Sequence, residues 1–324
     1  MSVYPETLGT EITFATSERE PRWFSAGRRV PAGASTLEAM AAAHLTGWDV
    51  RLEPVQFTGR SNIVRHEVIR TNPLDGGIDT IGIVGDRYNV VSNEAAFSFA
   101  DDLLHGAGEW DALGAINGGA TVFGAMHLTG DIPSIRDEQI GQYLIMRTSH
   151  DGSSNLSVSI VPLRMRCTNA LGVTIKGADQ TFKIRHSSSI NGRMEEARQV
   201  LGLSQLYFDA FSANMAKLID ETVTLTEAVR IVEAVYPLKS DAPNAVTRWE
   251  DRVQNIIGIY NGETCENIHG TKWGIFNAIT EELDWYRKAQ NTPTGVENLD
   301  AGYMGFLPRV QALKDNALAV VSAF

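Results

Sequence analysis

Apolar and polar residues alternate with a period of two over much of the first 190 residues, and with a helical period after that. Val50, Leu52 and Val55, followed by Ile63, Val64, Val68 and Ile69, predict two strands. The cluster Asn72-Pro73-Leu74-Asp75-Gly76-Gly77 breaks the chain, and residues 80–84 are then expected to pair with 88–91 across Gly85-Asp86-Arg87. Residues 113–116 and 121–128 predict a second hairpin, because Asn117-Gly118-Gly119 tolerates positive φ. A third joins 143–148 to 156–161 and turns at Asp151-Gly152-Ser153-Ser154.

Helical signals are of two kinds. Ser35-Thr36-Leu37-Glu38 and Ser92-Asn93-Glu94 are N-terminal capping patterns that open short helices within the strand region, the second with Ala95, Phe97, Phe99, Leu103 and Leu104 as its stripe. From Arg193 onward Ala197, Val200, Leu201, Leu206, Phe208, Phe211, Met215, Leu218 and Ile219 follow a helical period, and so do residues 246–320. Strands first and helices afterwards predict an α+β fold, with an antiparallel, sheet-rich N-terminal two-thirds and a helical C-terminal region. The expected organisation is an irregular arm over 1–35, an α+β core over 36–236 and a helical subdomain over 237–324, hinged at the polar stretch Tyr236 to Pro243.

The composition, 43% hydrophobic and 21% charged over 324 residues, is that of a folded globular chain. No uncharged apolar run reaches membrane-spanning length, so no membrane partner is expected, and the N-terminus lacks the pattern of a secretory signal. The two cysteines, Cys167 and Cys265, form neither a metal spacing nor a disulfide framework, and the expected location is the cytoplasm. The net charge of −11 excludes a surface basic all round, but the charge is uneven. Residues 1–139 carry 10 Lys+Arg against 19 Asp+Glu, residues 140–200 carry 8 against 4, and residues 201–324 carry 10 against 16. A basic island in an acidic chain is what an anion-binding face requires.

Within that island Arg164 and Arg166 share a face of an extended segment, as do Lys183 and Arg185. Two such ladders are expected to hold phosphates, with Arg60, Arg65 and Arg70 adding charge from the first strand pair. Tyr88, Phe182 and Tyr207 are stacking candidates, although core packing is the commoner use of such residues. Ser187-Ser188-Ser189 reads as a helix cap. His150-Asp151 sits at a hairpin tip, where Asp-Gly-Ser serves turn geometry, while neighbours on a strand point to opposite faces. Cys167 reads as a small buried residue despite Arg164 and Arg166 nearby. The seven histidines show no metal-ligand spacing, and neither glycine cluster fits a mononucleotide or dinucleotide loop. No metal, cofactor or catalytic centre is therefore expected, and the chain reads as non-enzymatic.

Several ordered blocks resemble the phage/plasmid-like proteins that share domain of unknown function 932. They are Gly85-Asp86-Arg87-Tyr88 with Asn93-Glu94-Ala95; Ser149-His150-Asp151-Gly152-Ser153; Val161-Pro162-Leu163-Arg164-Met165-Arg166-Cys167-Thr168-Asn169-Ala170-Leu171; and Arg185-His186 with Ala197-Arg198. The resemblance implies an origin in bacteriophages, plasmids or integrated elements, and brings no catalytic site. In outline the chain is also similar to phage single-strand annealing proteins, in which a sheet and helices form a basic groove in an oligomeric ring. The expected function is ATP-independent single-stranded-DNA binding and annealing in recombination or replication, by a homo-oligomer, through Arg164, Arg166, Lys183 and Arg185 with Arg65 and Arg70. The alternatives are a metal-dependent hydrolase or nuclease using His150, Asp151 and His186, and a non-catalytic protein that binds a host partner.

Overall fold

Ser35 starts the first helix as its sequence requires. Its hydroxyl accepts the Glu38 N–H at 3.3 Å, and the Glu38 carboxylate takes the Ser35 N–H at 2.8 Å, so two otherwise open donors are satisfied. This is the N-terminus of α1 (Thr36–Ala42) in a computed structural model. The structure describes residues 5–18, 27–55, 64–104, 108–128, 132–164, 169–170, 181–186, 193, 196–197, 199, 204–286 and 308–324. Before α1 come β1 (Thr7–Leu8), β2 (Glu11–Ile12), β3 (Phe14–Ser17) and β4 (Arg28–Val30). The expected irregular arm thus supplies two strands of the large sheet, and all of β3 is buried. Segments this short carry too few residues for a period to register.

A three-stranded antiparallel sheet follows, ordered β5 (Arg51–Pro54), β6 (Arg65–Thr71), β7 (Ile78–Gly85). The Asn72–Gly77 cluster is its turn: Asn72 Oδ1 accepts the Leu74 N–H and Asp75 Oδ1 accepts the Gly77 N–H, both at 2.8 Å. The expected pairing of 80–84 with 88–91 does not form. Instead β7 pairs with β6 from Thr71↔Ile78 to Arg65↔Gly85, and the chain runs through Tyr88 into α2 (Asn93–Leu103), capped by Ser92. Alternation marks a strand but does not name its partner. On α2 Phe97, Phe99 and Leu103 are buried as expected, while Ala96 takes the inward place expected of Ala95.

The large sheet is completed by β8 (Glu109–Ile116), β9 (Thr121–His127), β10 (Ile132–Ile135), β11 (Glu138–Ser149), β12 (Leu156–Arg164), β13 (Asn169–Ala170) and β14 (Thr181–Ile184). Its order is β13-β12-β11-β9-β8-β3-β4, with β10 beside β11 and β14 beside β12. The β8–β9 turn places Asn117, Gly118 and Gly119 at φ +57°, +64° and +78°, which is why those residues stand there.

The helices of the second half are α3 (Ser204–Asp220), α4 (Leu225–Val235), α5 (Pro243–Tyr260), α6 (Lys272–Glu281) and α7 (Pro308–Ala323). A 3-10 segment (Glu263–Ile268) precedes α6, and a π turn (Glu282–Tyr286) ends it. Phe208, Phe211, Met215, Leu218 and Ile219 of α3 are buried, as their spacing predicts. α6 is buried all round.

The fold is α+β, as the order of strands and helices implies. The chain divides into two compact units: residues 1–129, 143–160 and 180–203 form the first, and 130–142, 161–179 and 204–324 the second. These do not follow the expected boundaries at 36 and 236. Tyr236 to Pro243, read as a hinge, joins α4 to α5 within the second unit, where Trp249 Nε1 donates to the Tyr236 carbonyl at 2.6 Å.

Candidate functional site

In the first unit the ends of β11 and β14 bring two histidines into one buried cluster. The turn after β11 is closed by Ser149, whose hydroxyl donates to the Ser154 carbonyl at 2.9 Å and accepts the Ser154 N–H at 2.8 Å. Asp151 Oδ1 accepts the Ser153 N–H at 2.9 Å, and Gly152 lies at φ +75°, so Asp-Gly-Ser builds the turn as expected. The His150 N–H donates to the Ala120 carbonyl at 2.8 Å, which turns the ring inward to lie 5.8 Å from Trp48.

His150 Nε2 is 2.8 Å from Asn93 Oδ1, while Asn93 Nδ2 donates to the Leu45 carbonyl at 2.9 Å. That second bond orients the amide, so Oδ1 accepts and Nε2 carries the proton. Nδ1 of His150 is then an acceptor, buried and with no hydrogen-bond partner among the described residues. His186 stacks on Tyr88 at 4.9 Å with its Nε2 3.4 Å from Thr148 Oγ1. The Tyr88 hydroxyl donates to the Ser149 carbonyl at 3.0 Å, and the Asn89 N–H donates to the His186 carbonyl at 2.5 Å.

Burial pushes the His150 pKa down to about 4; the charges of His186 and Arg70 act in the same direction and Asp151 against it. Burial also lowers His186, against the backbone of Asn89 and the Asp151 carboxylate. Burial, and then Asp151, raises Tyr88 well above the ordinary phenol range. Both histidines are therefore neutral near pH 7.

The expected phosphate-binding residues separate into three groups. Arg164 and Arg70 are corrected by their burial. In the second unit Arg164 donates Nε and Nη2 to the two Glu138 oxygens at 2.7 and 2.6 Å, and neither side chain is exposed. In the first unit Arg70 is fully buried 4.2 Å over Trp48, with Glu6 and Asp79 as its ion-pair partners. Neither can reach a backbone phosphate without unfolding its surroundings. Arg166 lies outside the described residues, as do Arg60, Cys167 and Ser187 to Ser189. Lys183, Arg185 and Arg65 are exposed. Of the stacking candidates, Phe182 and Tyr207 are core residues and Tyr88 is stacked on His186.

Lys183 and Arg185 alternate with the buried Phe182, Ile184 and His186. Across the ladder Lys183 pairs with Ser157 and Thr181 with Ser159, whose hydroxyls meet at 2.9 Å. Ser157 also donates weakly to the Arg147 carbonyl at 3.5 Å. Arg147 is half-buried; burial lowers its pKa while Asp151 opposes this. The result is a strip of hydroxyls and cations on β11, β12 and β14, all within the first unit. Ser157 and Ser159 were legible as the polar positions between Leu156, Val158 and Ile160. The roles of Asn93, Thr148 and Tyr88 had no local signal, since their partners lie far along the chain.

A family model described as a domain of unknown function (DUF932) matches residues 80–302, more than half of the chain. The chain belongs to this family. No curated protein and no solved structure matches it. The DUF932 span contains the histidine cluster from Tyr88 to His186 and the whole polar strip, whereas Trp48, Arg65 and Arg70 precede it.

Proposed function

We propose that this DUF932 protein binds single-stranded nucleic acid through the strip formed by Lys183, Arg185, Arg147, Thr181, Ser157 and Ser159, and promotes annealing without a nucleotide cofactor. The observation that carries this reading is the alternation along β14, which turns Lys183 and Arg185 outward while Phe182, Ile184 and His186 anchor the strand. Cations beside hydroxyls on a pleated face suit a sugar–phosphate backbone, and such contacts read charge without reading sequence. With three cations in the strip, log K should fall with log salt at a slope of about −2 for a single strand. Fluorescence anisotropy with a labelled oligonucleotide tests this. Lys183→Glu/Arg185→Glu should abolish binding that the native protein shows at ~50 mM salt. No binding by the native protein at that salt overturns the proposal.

A second reading, a hydrolase or nuclease built on His150, Asp151 and His186, has one observation in its favour: the fold gathers the three residues. Their enclosure speaks against it, because His150 is fully buried and its Nε2 is committed to Asn93. Among the described residues no group of three or more His, Cys, Asp or Glu side chains stands together in a way that could hold a metal ion. Nuclease activity lost in His150→Ala but kept in Lys183→Glu/Arg185→Glu would favour this reading over nucleic-acid binding.

A further inference from the structure

We propose that His150 and His186 form an acid-released clasp that fixes the end of β14 to the loop before α2, so that mild acid weakens single-strand binding at the adjoining strip. This rests on the nucleic-acid reading for its consequence, but not for its mechanism. Arg185, outward on the strip, lies between Ile184 and His186, both turned inward. Downstream of Arg185 the chain is held by the Tyr88–His186 stack, the Asn89 N–H on the His186 carbonyl and the Thr148 contact. Tyr88 is fixed in turn by its hydroxyl on Ser149, next to His150. One connected set of contacts therefore sets where Arg185 stands.

Among the described residues, no bond in this set joins a histidine to a carboxylate. His150 meets the neutral Asn93 and the Trp48 ring, and His186 meets Thr148 and the Tyr88 ring. The charged groups that face His150 are Arg70 from β6, His186 from the segment after β14, and Asp151 from the turn after β11. His186 faces His150 and Asp151, and Asp151 also faces Arg147 and Tyr88. Arg70 keeps its own counter-ions, Glu6 and Asp79. A proton added to either ring places a positive charge in an enclosed space where, among the described residues, Asp151 is the carboxylate that acts on both rings, and the rings gain solvation by leaving. Burial lowers the proton affinity of both, which agrees with a clasp closed at neutral pH.

The direction of the effect is diagnostic. On an ordinary cationic surface, acid strengthens nucleic-acid binding because carboxylates lose charge and histidines gain it. The clasp predicts the opposite: binding of a labelled oligonucleotide by the native protein weakens about tenfold or more between about pH 7.5 and about pH 4.5 at constant salt. His150→Gln/His186→Phe keeps a donor for Asn93 and a ring against Tyr88 but cannot be protonated, so its affinity should change less than about twofold over the same range. Hydrogen exchange of the Asn89 amide, corrected for the intrinsic pH dependence, reads the clasp without nucleic acid. Its protection should fall in acid in the native protein and persist in the double variant. If the native protein binds no oligonucleotide at neutral pH, the nucleic-acid reading fails while the exchange measurement still judges the clasp. Unchanged Asn89 protection in the native protein, or equal loss in both proteins, overturns the clasp.

Discussion

Replacing Arg164 by Ala should destabilise the second unit severely while leaving nucleic-acid binding by the folded protein intact. The guanidinium makes two short bonds to Glu138, and the same carboxylate accepts from Asn267 Nδ2 at 2.8 Å and Trp273 Nε1 at 3.1 Å. Burial alone would raise the Glu138 pKa, but Arg164, followed by Asn267 and Trp273, outweighs it and holds the group below the usual carboxylate range. A fully buried ion pair is worth little net, because desolvation of both partners offsets their attraction. Removing one partner is another matter. The remaining carboxylate stays enclosed without its counter-ion, and the loss should be about 3–5 kcal/mol. Urea unfolding followed by tryptophan fluorescence measures it, with Trp273 itself in contact with Glu138. Arg164→Ala/Glu138→Gln should recover more than half of the loss, since the amide oxygen still accepts from Trp273 or Asn267. A loss below about 1 kcal/mol for the single variant would refute the pairing argument. So would reduced oligonucleotide affinity at undiminished stability, which would return Arg164 to the list of phosphate contacts.

Two further predictions test the first unit. Gly119→Ala drives a Cβ into the buried Arg70 guanidinium at φ +78°, so it should cost about 1–3 kcal/mol in urea unfolding, whereas the open position Gly118→Ala should cost less. The His150 pKa falls from 6.5 to about 4 on folding, so the unfolded chain binds more protons between those values. Stability should be full above pH ~6.5 and should drop by about 3 kcal/mol as pH falls towards 4, and His150→Gln should remove that part of the slope.

Local signals in the chain carry through to the structure. Ser35 with Glu38, Ser92, the Asn117-Gly118-Gly119 turn and the Asp151-Gly152-Ser153 turn each do what their neighbours imply, because a cap or tight turn depends on dihedral preference and on donors a few residues away. The pairing of β7 differs from its expected partner for the complementary reason: alternation over 80–84 suits any partner, and β6 offers a longer register than 88–91. The arginines show the same limit. Period-two spacing tells which residues share a face with Arg164 or Arg70, but not whether that face is covered.

By itself, then, the sequence determined the order of strands and helices, their caps and turns, the outward Lys183 and Arg185, and membership of the DUF932 family. Only the tertiary structure decided which cations keep contact with water. Glu138 reaches Arg164 across 26 positions and Glu6 reaches Arg70 across 64, and no local pattern records a partner at that distance. The meeting of His150 with Asn93 and of His186 with Tyr88 belongs to the same class. Charge is a property of composition, but its exposure is decided by packing between segments that the chain keeps far apart.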